Sequence, residues 1–307
     1  MINQNPPLAN KSVWTQFFAF LLLCFCSLAV SSFVGILLIK FFIGIEVMDI
    51  SVLMTNLADP AAKPALRILQ ITQAVGGFIL PSLFFAQLTT GNALEVHGAL
   101  TKPKWIELAL GLMIILTLQP LINFMSEWNA SLSFPKAMGI EQWMRDSEER
   151  NAELIKLFLQ MEGLGDLLIT LIMIGVLAGL GEEFLFRGTL QPLLEKHLGN
   201  RHLAVFITAF LFSALHMQFY GFFPRFFLGI GLGYMLIWSG SIWVSVLVHT
   251  ANNSLAVLLY YLIQHKYVDP SVEHIGTGDG FKAVVLSLLL SLFLLRHLYS
   301  NRSRWLD

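Results

Sequence analysis

Charge is scarce in this chain: 13% of its 307 residues are Asp, Glu, Lys or Arg, about half the share of a soluble globular domain. With 56% hydrophobic residues and a mean hydropathy of +0.69, that shortage excludes a soluble fold and marks a membrane protein. Positive charge is scarcer still as a pattern. Net charge is -1 and no dense Lys/Arg stripe occurs, so nucleic acid is excluded as a partner. Cysteine is nearly absent: Cys24 and Cys26 lie two apart within an apolar run, which rules out a disulfide framework and leaves two small hydrophobes. Internal repeats and low-complexity tracts are lacking. The first apolar run, Val13 to Phe42, is longer than the roughly 7–15-residue core of a signal peptide and is expected to be a retained membrane helix.

What is present in abundance is long apolar runs. At about 20 apolar residues per crossing, candidate spans fall at Val13 to Phe42, Ala65 to Leu88, Trp105 to Met125, Leu164 to Leu198, Arg201 to Tyr220, Phe222 to Trp238, Ile242 to Ile263 and Phe281 to Tyr299. The expected fold class is therefore all-α, a polytopic membrane helix bundle of about eight transmembrane helices. It forms one integrated membrane domain: N-terminal helices over 1–163, a core over 164–263, and a C-terminal loop with the last helix over 264–307. The polar stretch Ser126 to Gly163 should hold an amphipathic surface segment, about 141–162, either a solvated linker helix or a flap over a site. Lys and Arg in the loops favour cytoplasmic termini by a narrow margin, in a protein integral to the cell membrane.

Three polar motifs interrupt the apolar core: Glu182-Glu183-Phe184-Leu185-Phe186-Arg187, Phe212-Ser213-Ala214-Leu215-His216, and His249-Thr250-Ala251-Asn252-Asn253. Ionisable groups in hydrocarbon cost several kcal/mol unless paired or facing water, so such clusters mark a working site. Residues four apart share a helix face. Glu183 is thus expected to pair with Arg187, His249 to sit beside Asn253, and Glu182, turned by about 100°, to stay free for proton transfer. If the fourth and fifth spans turn back near Gly199 and Asn200, Glu182 and His216 fall at similar depth. A base (Glu182), a second group to hold water (His216) and a donor pair (His249, Asn253) are what water needs to attack a carbonyl, which implies amide hydrolysis.

Glu-Glu-x-x-x-Arg, Phe-x-x-x-His and His-x-x-x-Asn, in this order on successive membrane helices, resemble the signature of the CPBP (Abi) family. That family includes the CAAX prenyl endopeptidase and bacterial relatives linked to bacteriocin processing or self-immunity. The resemblance covers about Leu164 to Ile263. It implies that Glu182 and His216 activate water, that His249 and Asn253 stabilise the oxyanion, and that Glu183 and Arg187 support the site. It also leaves open a metalloprotease reading in which Glu182, His216 and His249 bind Zn2+. The metal-free reading, with no cofactor, is preferred because Asn253 is a poor zinc ligand and a good oxyanion donor.

The partners implied are the lipid bilayer and a membrane-associated protein or peptide substrate, prenylated CAAX proteins among the candidates. The competing readings are a secondary transporter with proton- or cation-binding acids, and a non-catalytic immunity or scaffold protein. The polar groups crowd the second half only, against the paired halves of a transporter. Phe184 and Phe212 are expected to pack, Arg225 to snorkel to the interface, and Gly229, Gly231 and Gly233 to allow close helix contact.

Overall fold

The computed structural model describes residues 6–132, 141–277 and 280–302, and every regular element in them is helical. In chain order these are α1 (Val13–Ile43), α2 (Ile50–Thr55), α3 (Ala62–Thr90), α4 (Trp105–Ser131), α5 (Glu141–Leu159), α6 (Leu164–Leu198), α7 (Arg201–Ala214), α8 (Phe222–Ser239), α9 (Ile242–Gln264) and α10 (Phe281–Ser300). Seven of the described helices are long and apolar enough to cross a bilayer: α1, α3, α4, α6, α9, α10, and α8 counted with its preceding turn, Phe219–Ser239. The protein is an integral membrane bundle. Its outward faces carry the large apolar side chains that lipid would cover, as with Phe18, Phe25, Phe33 and Phe41 along α1.

The fifth expected span departs from expectation. Arg201 to Tyr220 was read as one crossing, but α7 ends at Ala214 after 14 residues, about 21 Å at 1.5 Å per residue. Leu215 to Gly221 instead form a turn followed by a short tight helix, with Met217 at φ 53°. Hydropathy registers the apolar side chains here and is blind to the backbone reversal.

Both ends of the described chain lie at one face. Leu8 N–H donates to Leu88 O, Lys196 Nζ to Gln16 Oε1, and Lys104 Nζ to Asn301 O. At the opposite face Met161 N–H donates to Gln264 Oε1, and Lys63 and Arg67 hold Asp166. The amphipathic segment is there as α5, shorter than expected at its C-terminal end; Met144, Ser147 and Phe158 face inward and most of its charges face out.

Two features set α6 against its neighbours. α6 contains wider π turns at Leu171–Leu177 and Phe186–Leu190, so the eight residues Ala178–Leu185 form an α segment bracketed by two slips of hydrogen-bond register. Such bulges are rare and concentrate at functional sites. Secondly, Gly175 and Gly179 lie against α9. A Cβ at Gly179 would come 2.9 Å from Thr250 N and 3.0 Å from Thr250 Cα, so only glycine allows the two backbones to approach this closely. That approach brings Glu183 to His249.

Candidate active site

Glu183 and Arg187 are both fully buried, and Arg187 Nη1 donates to Glu183 Oε1 at 2.8 Å, as the four-residue spacing predicts. Arg187 Nη2 donates to Gly229 O at 3.0 Å and so ties α6 to α8. His249 Nδ1–H donates to the same Glu183 oxygen at 2.9 Å. Its Nε2 is thereby turned towards Glu182, with Oε2 3.7 Å away. His249 begins its role seven residues into α9, about 10 Å along that helix.

His216 enters from the turn after α7. Its Nδ1–H donates to Phe212 O at 2.7 Å, which fixes the ring and leaves Nε2 facing Glu182 Oε2 at 3.9 Å. Glu182 Oε2 is buried and has no hydrogen-bond partner among the described residues. Two motif histidines thus converge on one carboxylate oxygen of the third motif residue, Glu182. Side-chain exposure rises across the group, from 3% at His249 through 15% at Glu182 to 30% at His216, so the cluster opens on the His216 side.

Asn253 follows His249 by four residues on α9; its Nδ2 donates to Ile174 O at 3.1 Å, inside the first π turn, and its Oδ1 accepts from Asn252 Nδ2 at 3.2 Å. An amide nitrogen has two N–H groups. One satisfies the helix, and the other remains to be used.

Three further residues shape the site. Phe212 does pack, as expected, but against the site itself: its ring lies 4.6 Å from the Arg187 guanidinium carbon and 5.0 and 5.6 Å from the His216 and His249 rings. Phe184 packs away from it against Trp243. Arg225 does not snorkel; it donates to both the backbone and side-chain oxygens of Gln218, two residues after His216. Of the glycines, Gly229 and Gly233 sit close against Ala209 and Val205, whereas Gly231 faces open space beside an apolar cleft. A polar residue after a histidine and an arginine at the next helix start were the only signals for the Arg225 contact.

Glu182, His216 and His249 have the donor chemistry of a zinc set, but a tetrahedral zinc with ligands about 2.1 Å away would draw its donors to about 3.4 Å of one another. The carboxylate oxygen stands farther from both nitrogens. Among the described residues no group of three His, Cys, Asp or Glu is gathered to hold a metal ion.

The fold and this cluster define a helical membrane protein with a buried acid-histidine centre. Residues 164–255 match the family model described as type II CAAX prenyl endopeptidase Rce1-like, in agreement with the family that the three motifs resemble. That match supports protease activity in general. No curated protein and no solved structure matches the chain.

Proposed function

We propose that the protein is an intramembrane endopeptidase that hydrolyses a peptide bond in a membrane-associated protein or hydrophobic peptide, prenylated CAAX-type substrates included, through water activated by Glu182 and His216. The observation that carries the reading is the unpartnered Glu182 Oε2 facing two imidazole nitrogens. With His216 Nδ1–H committed to Phe212 O, its Nε2 is an acceptor. A water can donate one hydrogen to it and one to Glu182 Oε2. The two acceptors are 3.9 Å apart, close to the roughly 4.4 Å that two hydrogen bonds of about 2.8 Å span when they meet at water. The water's lone pair is then free to attack.

As the oxygen bonds to the carbonyl carbon, its proton passes to Glu182. The oxyanion is met by His249 Nε2–H and by the second N–H of Asn253. A histidine that donates to Glu183 at Nδ1 and to the oxyanion at Nε2 carries both protons, and the carboxyl groups of Glu182 and Glu183 flank it. The C–N bond then breaks and the amine leaves with the proton from Glu182. Leu215 and Met217, 67% and 41% exposed on either side of His216, present an apolar approach suited to a hydrophobic substrate segment.

The test is cleavage of fluorogenic prenylated and unprenylated peptides by purified wild type, Glu182→Gln and His216→Ala. Activity present in wild type and lost in both variants supports the reading. Cleavage that survives Glu182→Gln removes Glu182 as the base.

A further inference from the structure

His216 is carried by a turn whose own backbone bonds run back to α7, from His216 to Ser213 and from Met217 to Ala214. Its far side is held by other elements as well as by Ser213 Oγ–H, which donates to Phe222 O. Between Ala214 and Phe222 the backbone reverses inside the bundle, passes through the left-handed region at Met217, and reaches α8 at Gly221, which has no side chain to cap the new helix. The first N–H groups of a helix have no acceptor within it. The acceptor comes from another element. Asn129, near the end of α4 and 3% exposed, takes the Phe223 N–H on its Oδ1 at 2.9 Å and donates its Nδ2 to Phe219 O at 3.0 Å.

One buried amide thus closes both sides of the short helix that follows His216. Ser147 of α5 adds a bond to Met217 O at 3.0 Å, and Arg225 holds Gln218. We propose that Asn129 is a positioning residue: by capping α8 from α4 it sets the turn, and through the turn the place of His216 Nε2 relative to Glu182. This rests on the hydrolytic reading above for its kinetic consequence, though not for its structural one.

Two variants and two readouts test it. In Asn129→Ala both bonds are lost, and kcat should fall by about 100-fold with KM little changed, the effect of misplacing a reacting group by about an ångström. In Asn129→Asp the protonated carboxyl can still accept from Phe223 and donate to Phe219 O, whereas the ionised one can only accept and repels that carbonyl. The ratio of variant to wild-type rate, taken per folded molecule at each pH, should therefore rise as pH is lowered, a readout from which any change in folded fraction has been removed.

Independently of any activity, the ring signal of His216 in carbon-labelled protein, assigned by its disappearance in His216→Gln, should shift in Asn129→Ala while signals of distant histidines stay. A His216 signal and kcat unchanged in Asn129→Ala overturn the proposal, as does an Asn129→Asp rate well below wild type that does not recover at any lower pH. If wild type cleaves no peptide the hydrolytic reading fails, and the His216 signal still decides the positioning role. If Asn129→Ala does not fold, Asn129→Asp decides it.

Discussion

Glu183 and His249 stand 66 residues apart in the chain and meet at 2.9 Å through a carboxylate oxygen that also accepts from Arg187. One oxygen atom therefore joins α6 to α9 and, through Arg187 and Gly229 O, to α8. Removing the cation leaves a buried charge, and breaking a buried pair from one side costs about 3–5 kcal/mol. Arg187→Ala should lower the yield of monodisperse protein in detergent as well as activity. Size exclusion of the solubilised variant checks this, and an unchanged yield would count against a structural role for the pair.

The two glycines facing α9 should differ in their tolerance. At Gly179 an added methyl meets Thr250 backbone, which cannot move aside, so Gly179→Ala should separate α6 from α9, lengthen the Glu183 to His249 bond and reduce activity at least tenfold. At Gly175 the nearest atom is the Ser254 hydroxyl, while Ser254 Cα is 3.7 Å away, so Gly175→Ala with Ser254→Ala should retain most activity. Thr250→Ala should fail to rescue Gly179→Ala. Similar activities for the two glycine variants would refute the close-approach account.

Phe212→Leu should weaken the site without touching the carbonyl that holds His216. A desolvated guanidinium over an aromatic face is worth up to about 2 kcal/mol, and the same ring separates the two histidines. The expected outcome is a lower melting temperature together with a lower kcat. Phe184→Leu, away from the histidines against Trp243, is the comparison and should lower stability with a smaller effect on kcat.

Treatment with a strong chelator should leave peptide cleavage intact, and metal analysis of active protein should find zinc well below one equivalent. The ground is the spacing of Glu182, His216 and His249, wider than a zinc set. Activity lost to chelator and restored by zinc would overturn the metal-free mechanism.

Much of this arrangement could be read from residue order. Apolar run length located the spans, and four-residue spacing predicted the Glu183–Arg187 pair, because an α-helix stacks such residues whatever surrounds them. The same rule put His249 and Asn253 on one face of α9 but could not supply the partner of Asn253, whose Nδ2 donates to Ile174 O within the π turn of α6. Nothing in Leu171–Leu177 distinguishes a π turn from an α turn, since side-chain hydropathy is the same in both. The end of α7 at Ala214 was equally hidden, and so was Asn129, a single polar residue whose partners are backbone groups 90 and 94 residues away.

The buried ion pair also bears on how the protein is made. A charge at the centre of a membrane helix resists insertion by about 2.5–3.5 kcal/mol on the scale set by the translocation machinery, and α6 carries Glu182, Glu183 and Arg187 together near its middle. During synthesis Arg187 follows Glu183 within one turn, whereas His249 emerges 66 residues later. The helix therefore enters the bilayer with a partner for Glu183 already on board, whereas the two histidines that face Glu182, His216 and His249, both lie later in the chain. The residue proposed to act as the base thus meets its neighbours only after α6 has been made.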